Sequence, residues 1–97
     1  MASSRTQTIE QLLRETLDAV HVEVVDDSTR HAGHLGAEGG AGHFQVLVVS
    51  PQFVGLSRVE THRLVYRALV GMMASDIHAL EIQALTPQDW EASRRRG

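Results

Sequence analysis

The chain has 97 residues, 42% of them hydrophobic, a formal net charge of −3, nine basic residues that are all arginine, and no cysteine. That length suits one small domain with a single core, and the missing thiols exclude disulfides and cysteine nucleophiles while fitting a reducing compartment. The negative balance argues against a strong sequence-independent grip on nucleic acid, which rests on phosphate neutralisation.

The first element is a helix expected over residues 6–19, where Ile9, Leu12, Leu13 and Leu17 recur at helical spacing. Thr6, or Thr8 with Gln11, is its expected cap. Val20, Val22 and Val24 then alternate with His21 and Glu23, which predicts a half-buried strand. Asp26-Asp27-Ser28 ends it, and a glycine-rich segment carrying His31 and His34 runs to Gly42. From His43 to Val49 a second strand places Phe44, Val46 and Val48 on one face. Leu47 and Val49 make its other face partly apolar, so a central position is expected. Ser50-Pro51 closes this second strand, and the two strands form a hairpin whose long connection lets its tip stand clear of the sheet.

Ser57-Arg58-Val59-Glu60 is a capping box that starts a helix running to about Val70. Val59, Val65, Tyr66, Leu69 and Val70 share its apolar arc, with His62 inside that arc. Gly71 breaks or bends the helix, and residues 72–77 offer a further short helical piece. Ala79–Leu85 is a third strand with Leu80, Ile82 and Ala84 on one face. Thr86-Pro87-Gln88-Asp89 then caps and opens a last helix carrying Trp90. The order α-β-β-α-α-β-α predicts an α+β sandwich in which helices cover a mixed three-stranded sheet. One domain over 1–97 is expected, with its core at about 6–92 and short flexible ends. No apolar run approaches the roughly 18 residues that span a bilayer, and residues 1–8 carry no apolar leader core. A cytoplasmic, non-membrane protein is expected.

Six histidines are the chemically informative residues, since imidazole is the commonest protein metal ligand. His31 and His34 form a His-x-x-His pair without the fixed i, i+4 helical spacing of a strong zinc motif. They are either a solvated loop or part of a site that glycines let close on a ligand. His78 points into the core if the third strand begins there, and faces the glycine-rich segment if it ends the preceding loop. His62 is expected to be packed, His43 partly exposed, and His21 outward. Arg63 and Arg67 flank one helix, either as a solvated face or toward an anionic partner. Met72-Met73 suits adaptable packing. No lysine, Gly-x-Ser-x-Gly elbow or phosphate loop supports catalysis, so a non-enzymatic protein is expected.

Over roughly Ile9 to Trp90 the chain resembles the BolA family. The resemblance is carried by Val24-Val25-Asp26-Asp27-Ser28, His31-Ala32-Gly33-His34, His43-Phe44 and Val48-Val49-Ser50. Further along it is carried by Phe53 with Gly55, His62-Arg63-Leu64-Val65-Tyr66, Ile77-His78-Ala79-Leu80, and Thr86-Pro87 with Trp90. It implies a fold related to the type II KH domain. It also implies an adaptor in iron–sulfur trafficking and iron homeostasis. In that role a monothiol glutaredoxin and its glutathione share a [2Fe–2S] cluster with the BolA-like chain, which holds none when alone. By this resemblance His78 is the principal metal ligand, and the second is His31 or His34, with His31 nearer the usual position. Such clusters are normally held by thiolates, so a cysteine-free chain supplies only the nitrogen half. Binding through histidine should weaken as pH falls.

The resemblance also implies a second function, a DNA-binding transcription regulator of stress and morphology genes. Arg58, Arg63 and Arg67 are then the contact residues, although Gly55-Leu56-Ser57-Arg58 lacks the second glycine of the KH Gly-x-x-Gly signature. A third expectation, zinc held by histidines alone, needs no partner.

Overall fold

A computed structural model describes residues 3–27 and 42–96. His31 and His34 lie outside the described residues. The elements are α1 (Ser3–Leu17), β1 (His21–Asp26), β2 (Gly42–Val49), a 3-10 turn (Pro51–Phe53), α2 (Arg58–Ala68), α3 (Val70–Met73), β3 (Ile77–Leu85) and α4 (Pro87–Arg96). The sheet order is β1-β2-β3. β1 runs antiparallel to β2, and β3 runs parallel to it. The mixed three-stranded sheet, the hairpin and the central place of β2 all match expectation. A parallel partner requires a crossover, and α2 with α3 supplies it.

Alternation along β2 sends Phe44, Val46 and Val48 to one face, where they are buried with Ile9, Leu13 and Leu17 of α1, Val65 of α2 and Leu69 just after it. Val22 of β1, Phe53, Met72 of α3 and Ile77 complete this core. Ser50 caps the 3-10 turn with its side chain, and Pro51 stands at the start of that turn. Ser57 and Glu60 form the expected capping box. Thr86 accepts from the Asp89 backbone N–H at 3.1 Å, so the last helix begins as its sequence predicts. No helix of the described residues is long and apolar enough to cross a membrane.

Four local expectations change. α1 begins at Ser3, which leaves Thr6 and Thr8 inside the helix rather than capping it. Its end is set by Asp18, whose φ of 52° is the left-handed conformation that follows many helices. The helical break falls at Leu69 (φ −106°, ψ 13°), not at Gly71, which lies within α3. The buried Leu69 side chain pins the chain there, a tertiary constraint that overrides local propensity. β3 starts two residues early and therefore includes His78.

The fourth change concerns α2. Thr61, Val65 and Leu69 face the core, while Val59, Tyr66 and Val70 are exposed. The helix carries apolar residues on both sides, so its pattern does not say which arc is buried.

Candidate functional site

The register between β2 and β3 carries an irregularity beside His78. Gly42 is opposite Ile77, and the next residue, His43, is opposite Ala79. His78 is therefore the extra residue of a β-bulge, a feature seldom seen in parallel pairs and enriched beside functional sites. The bulge preserves the faces on either side of it. Ile77 pairs with Gly42 and Leu80 with Phe44, and both remain on the core side. His78 is left exposed, its side chain without a hydrogen bond or ion pair to any described residue. His78 lies within the strand yet is exposed, so it is not the core histidine that regular strand parity implies, and the glycine-rich segment, its other expected neighbour, lies outside the described residues.

The ends of the glycine-rich segment are tied to this same edge. The Asp27 N–H donates to the His43 carbonyl at 2.7 Å, and the Gly42 N–H donates to the Asp76 carbonyl at 2.9 Å. Gln45 Nε2 donates to Asp27 Oδ2 at 3.0 Å. The chain thus leaves the sheet beside His43 and returns two residues from His78. His43 is partly buried as expected, and its Nε2 lies 3.2 Å from Glu81 Oε2.

The other sequence candidates are dispersed. His21 faces away from the core, 2.8 Å from Glu23 Oε2 and stacked on Trp90. His62 is half-buried and lines a cleft of about 330 Å³ between the start of α2, β3 and the start of α4. Arg58 and Asp89 share that cleft. Sequence reasoning missed it because its walls come from separated segments and no spacing signals them. Arg58, Arg63 and Arg67 are all exposed on α2. Among the described residues no three His, Asp or Glu side chains converge as a metal site.

One carboxylate is clearly perturbed. Glu60 titrates below its ordinary value of 4.5, chiefly because the Ser57 backbone N–H donates to it at 2.8 Å. The Ser57 side chain and the nearby Arg63 charge add to the effect. These contacts complete a helix cap and suggest no reactive site.

Residues 13–89 match the family model described as BolA-like protein. The chain is 43% identical over 91 residues to SufE-like protein 1, chloroplastic/mitochondrial, of Arabidopsis thaliana, covering 89% of this chain and 24% of that protein. The solved BolA domain of SufE1 from that plant superposes with a TM-score of 0.75 at 42% identity, over 88% of this chain and 94% of the domain. BolA-like protein 1 of Bos taurus is 42% identical over 86% of this chain and 62% of its own length. DNA-binding transcriptional regulator BolA of Escherichia coli (strain K12) is 36% identical over 88% of this chain and 78% of its own length. The chain thus spans about a quarter of the first relative and about three fifths of the cattle protein. The family match covers most of the chain, and the fold agrees with it: this protein belongs to the family of BolA-like proteins.

Proposed function

We propose that this BolA-like protein is a non-enzymatic adaptor in iron–sulfur cluster trafficking within a reducing compartment such as the cytoplasm. It pairs there with a monothiol glutaredoxin through a shared [2Fe–2S] cluster. The observation that carries this reading is the exposed, unpartnered His78 imidazole on the bulge of β3. The core gains nothing from the extra residue, since Ile77 and Leu80 keep their faces with or without it. What the insertion supplies is the side chain.

The donor set fits half of such a site. His78 offers one nitrogen, and His31 or His34 offers a second from the segment anchored at Asp27 and Gly42. His31 follows Asp27 by four residues, at most about 14 Å of extended chain. The protein has no cysteine, so the thiolates would come from the glutaredoxin and its glutathione. A cluster bound in this way supplies redox-active iron, and histidine ligation raises its potential. This chain's own part is to present imidazole on a rigid strand and to keep its partner's orientation fixed.

Mixing the protein with a glutathione-loaded, cluster-bearing monothiol glutaredoxin should change the cluster's visible absorption and circular dichroism. His78→Ala should abolish that change, whereas His62→Ala should keep it. Identical spectra from wild-type and His78→Ala mixtures would overturn the assignment.

A second reading is a DNA-binding regulator, favoured by the three exposed arginines of α2 and by the name of the Escherichia coli relative. Binding should then fall steeply with salt and be lost in Arg63→Glu. No binding to duplex DNA at low salt dismisses it.

A further inference from the structure

The outward side of α2 is an uncovered apolar face. Val59 is 58% exposed, Tyr66 42% and Val70 68%, and Val54 and Leu56 in the preceding turn are 62% and 37% exposed. At the helical repeat Val59, Arg63 and Tyr66 fall within roughly 60° of one another, opposite the buried Thr61–Val65–Leu69 side. Val70 continues the stripe into α3. Clustered apolar exposure of this kind marks interaction surfaces more often than isolated exposed residues do.

Charge decides what the face can meet. Arg63 lies within it and Arg67 borders it, both exposed and neither in a salt bridge with a described residue, whereas Arg58 turns toward the cleft it lines with His62. Glu60, the acid closest in sequence, is occupied by capping: its Oε1 accepts from the Ser57 N–H at 2.8 Å. Its charge interaction with Arg63 therefore leaves the patch net positive. We propose that this face docks a segment of a partner protein in which acidic residues flank an apolar stripe. The valines and Tyr66 bury against that stripe, and Arg63 and Arg67 meet its carboxylates.

The mixed chemistry favours a protein over the two obvious alternatives. A phosphate backbone pairs with arginine but gains nothing from burying Val54, Val59 and Val70. Protein interfaces, in contrast, are enriched in Tyr and Arg, the large residues this stripe presents. A second copy of the same face is disfavoured because a two-fold contact sets each patch against itself, which brings the arginine borders together.

The test titrates the full isotope-labelled chain with two short synthetic helical peptides. They share one leucine stripe, flanked by glutamate in one and by lysine in the other. The glutamate peptide should shift the amides of residues 54–70, and the lysine peptide should not. Tyr66→Ser should weaken that binding by about tenfold. Arg63→Glu combined with Arg67→Glu should switch preference to the lysine peptide. These positions are exposed, so unchanged amide positions elsewhere verify the fold of each variant. Equal shifts from both peptides, or none, overturn the proposal. It is also overturned if a short DNA duplex shifts these amides while the glutamate peptide does not, or if they shift with the concentration of the protein alone.

Discussion

The indole of Trp90 lies almost parallel to the imidazole of His21, with ring centroids 4.7 Å apart and planes inclined by 19°. His21 opens β1 on the face opposite the core. The stack therefore holds α4 across the sheet from its connection to β3. Val49, the cross-strand partner of His21, is fully buried on that same outer face. Arg94 adds a cation–π contact at 5.8 Å from the indole centroid. Stacked rings contribute about 0.5–1.5 kcal/mol beyond the area they bury. Trp90→Ala should then lower stability by about 1–3 kcal/mol, measured by urea denaturation followed by circular dichroism. A midpoint equal to wild type would mean that α4 rests on the sheet without stabilising it.

The cap of α2 has a pH dependence whose sign follows from Glu60. The folded state holds this carboxyl below its ordinary 4.5, so it binds its proton less readily than in the unfolded chain. Its stabilising effect is present above the unfolded value and is lost as pH falls through the lower, folded value. Ser57→Ala should cost about 1 kcal/mol near neutral pH, and less in acid. Glu60→Gln should flatten this part of the stability–pH profile. The check is a set of denaturation midpoints between neutral and acid pH for wild type and both variants. A profile for Glu60→Gln that parallels wild type would remove Glu60 as its source.

The bulge makes a more unusual prediction, about a deletion. Removing His78 would place Ile77 and Ala79 consecutively against Gly42 and His43, and every later residue of β3 would keep its pairing and its face. The deletion variant should fold and unfold cooperatively, whereas deleting Glu81 should send half the strand to the wrong face and abolish the fold. Circular dichroism and amide dispersion distinguish the two. If removal of His78 unfolds the protein, the residue has a structural role beyond presenting its imidazole.

Much of this architecture was legible in the sequence where one signal had one meaning. Phe44, Val46 and Val48 alternate with a partly apolar second set, and β2 is indeed central. Ser57 with Glu60 and Thr86 with Pro87 mark helix starts that the structure reproduces. Legibility failed where two arrangements satisfied the same pattern. Val59, Tyr66 and Val70 are as apolar as the residues α2 buries, and only the position of the sheet decides between the two arcs. His78 was open to two placements because a parity argument assumes regular pairing, and a single inserted residue breaks that assumption. Of the three proposed ligands, His78 alone is among the described residues, while His31 and His34 lie outside them.

Ser50 ties three elements together at the far end of β2. Its Oγ donates to the Leu17 carbonyl at the end of α1 and accepts from the Gln52 N–H at 3.0 Å. Its own N–H donates to the Leu85 carbonyl at 3.0 Å, at the end of β3. Ser50 and Leu17 are both buried, so water does not replace the hydroxyl at the Leu17 carbonyl once it is removed, whereas the exposed Gln52 can turn to water. Ser50→Ala leaves the Leu17 carbonyl without that donor and the Gln52 N–H without its acceptor. Each unsatisfied buried group costs about 1–3 kcal/mol. The cost is large beside the roughly 5–15 kcal/mol of net stability typical of a domain. Ser50→Ala should therefore lose about 1–3 kcal/mol, more than Ser57→Ala at its exposed cap. Ser50→Cys keeps a weak donor of similar size and should fall between Ser50→Ala and wild type. Parallel urea titrations of the three variants give the order directly. If Ser50→Ala proves no worse than Ser57→Ala, the junction of α1, β2 and β3 does not depend on this hydroxyl.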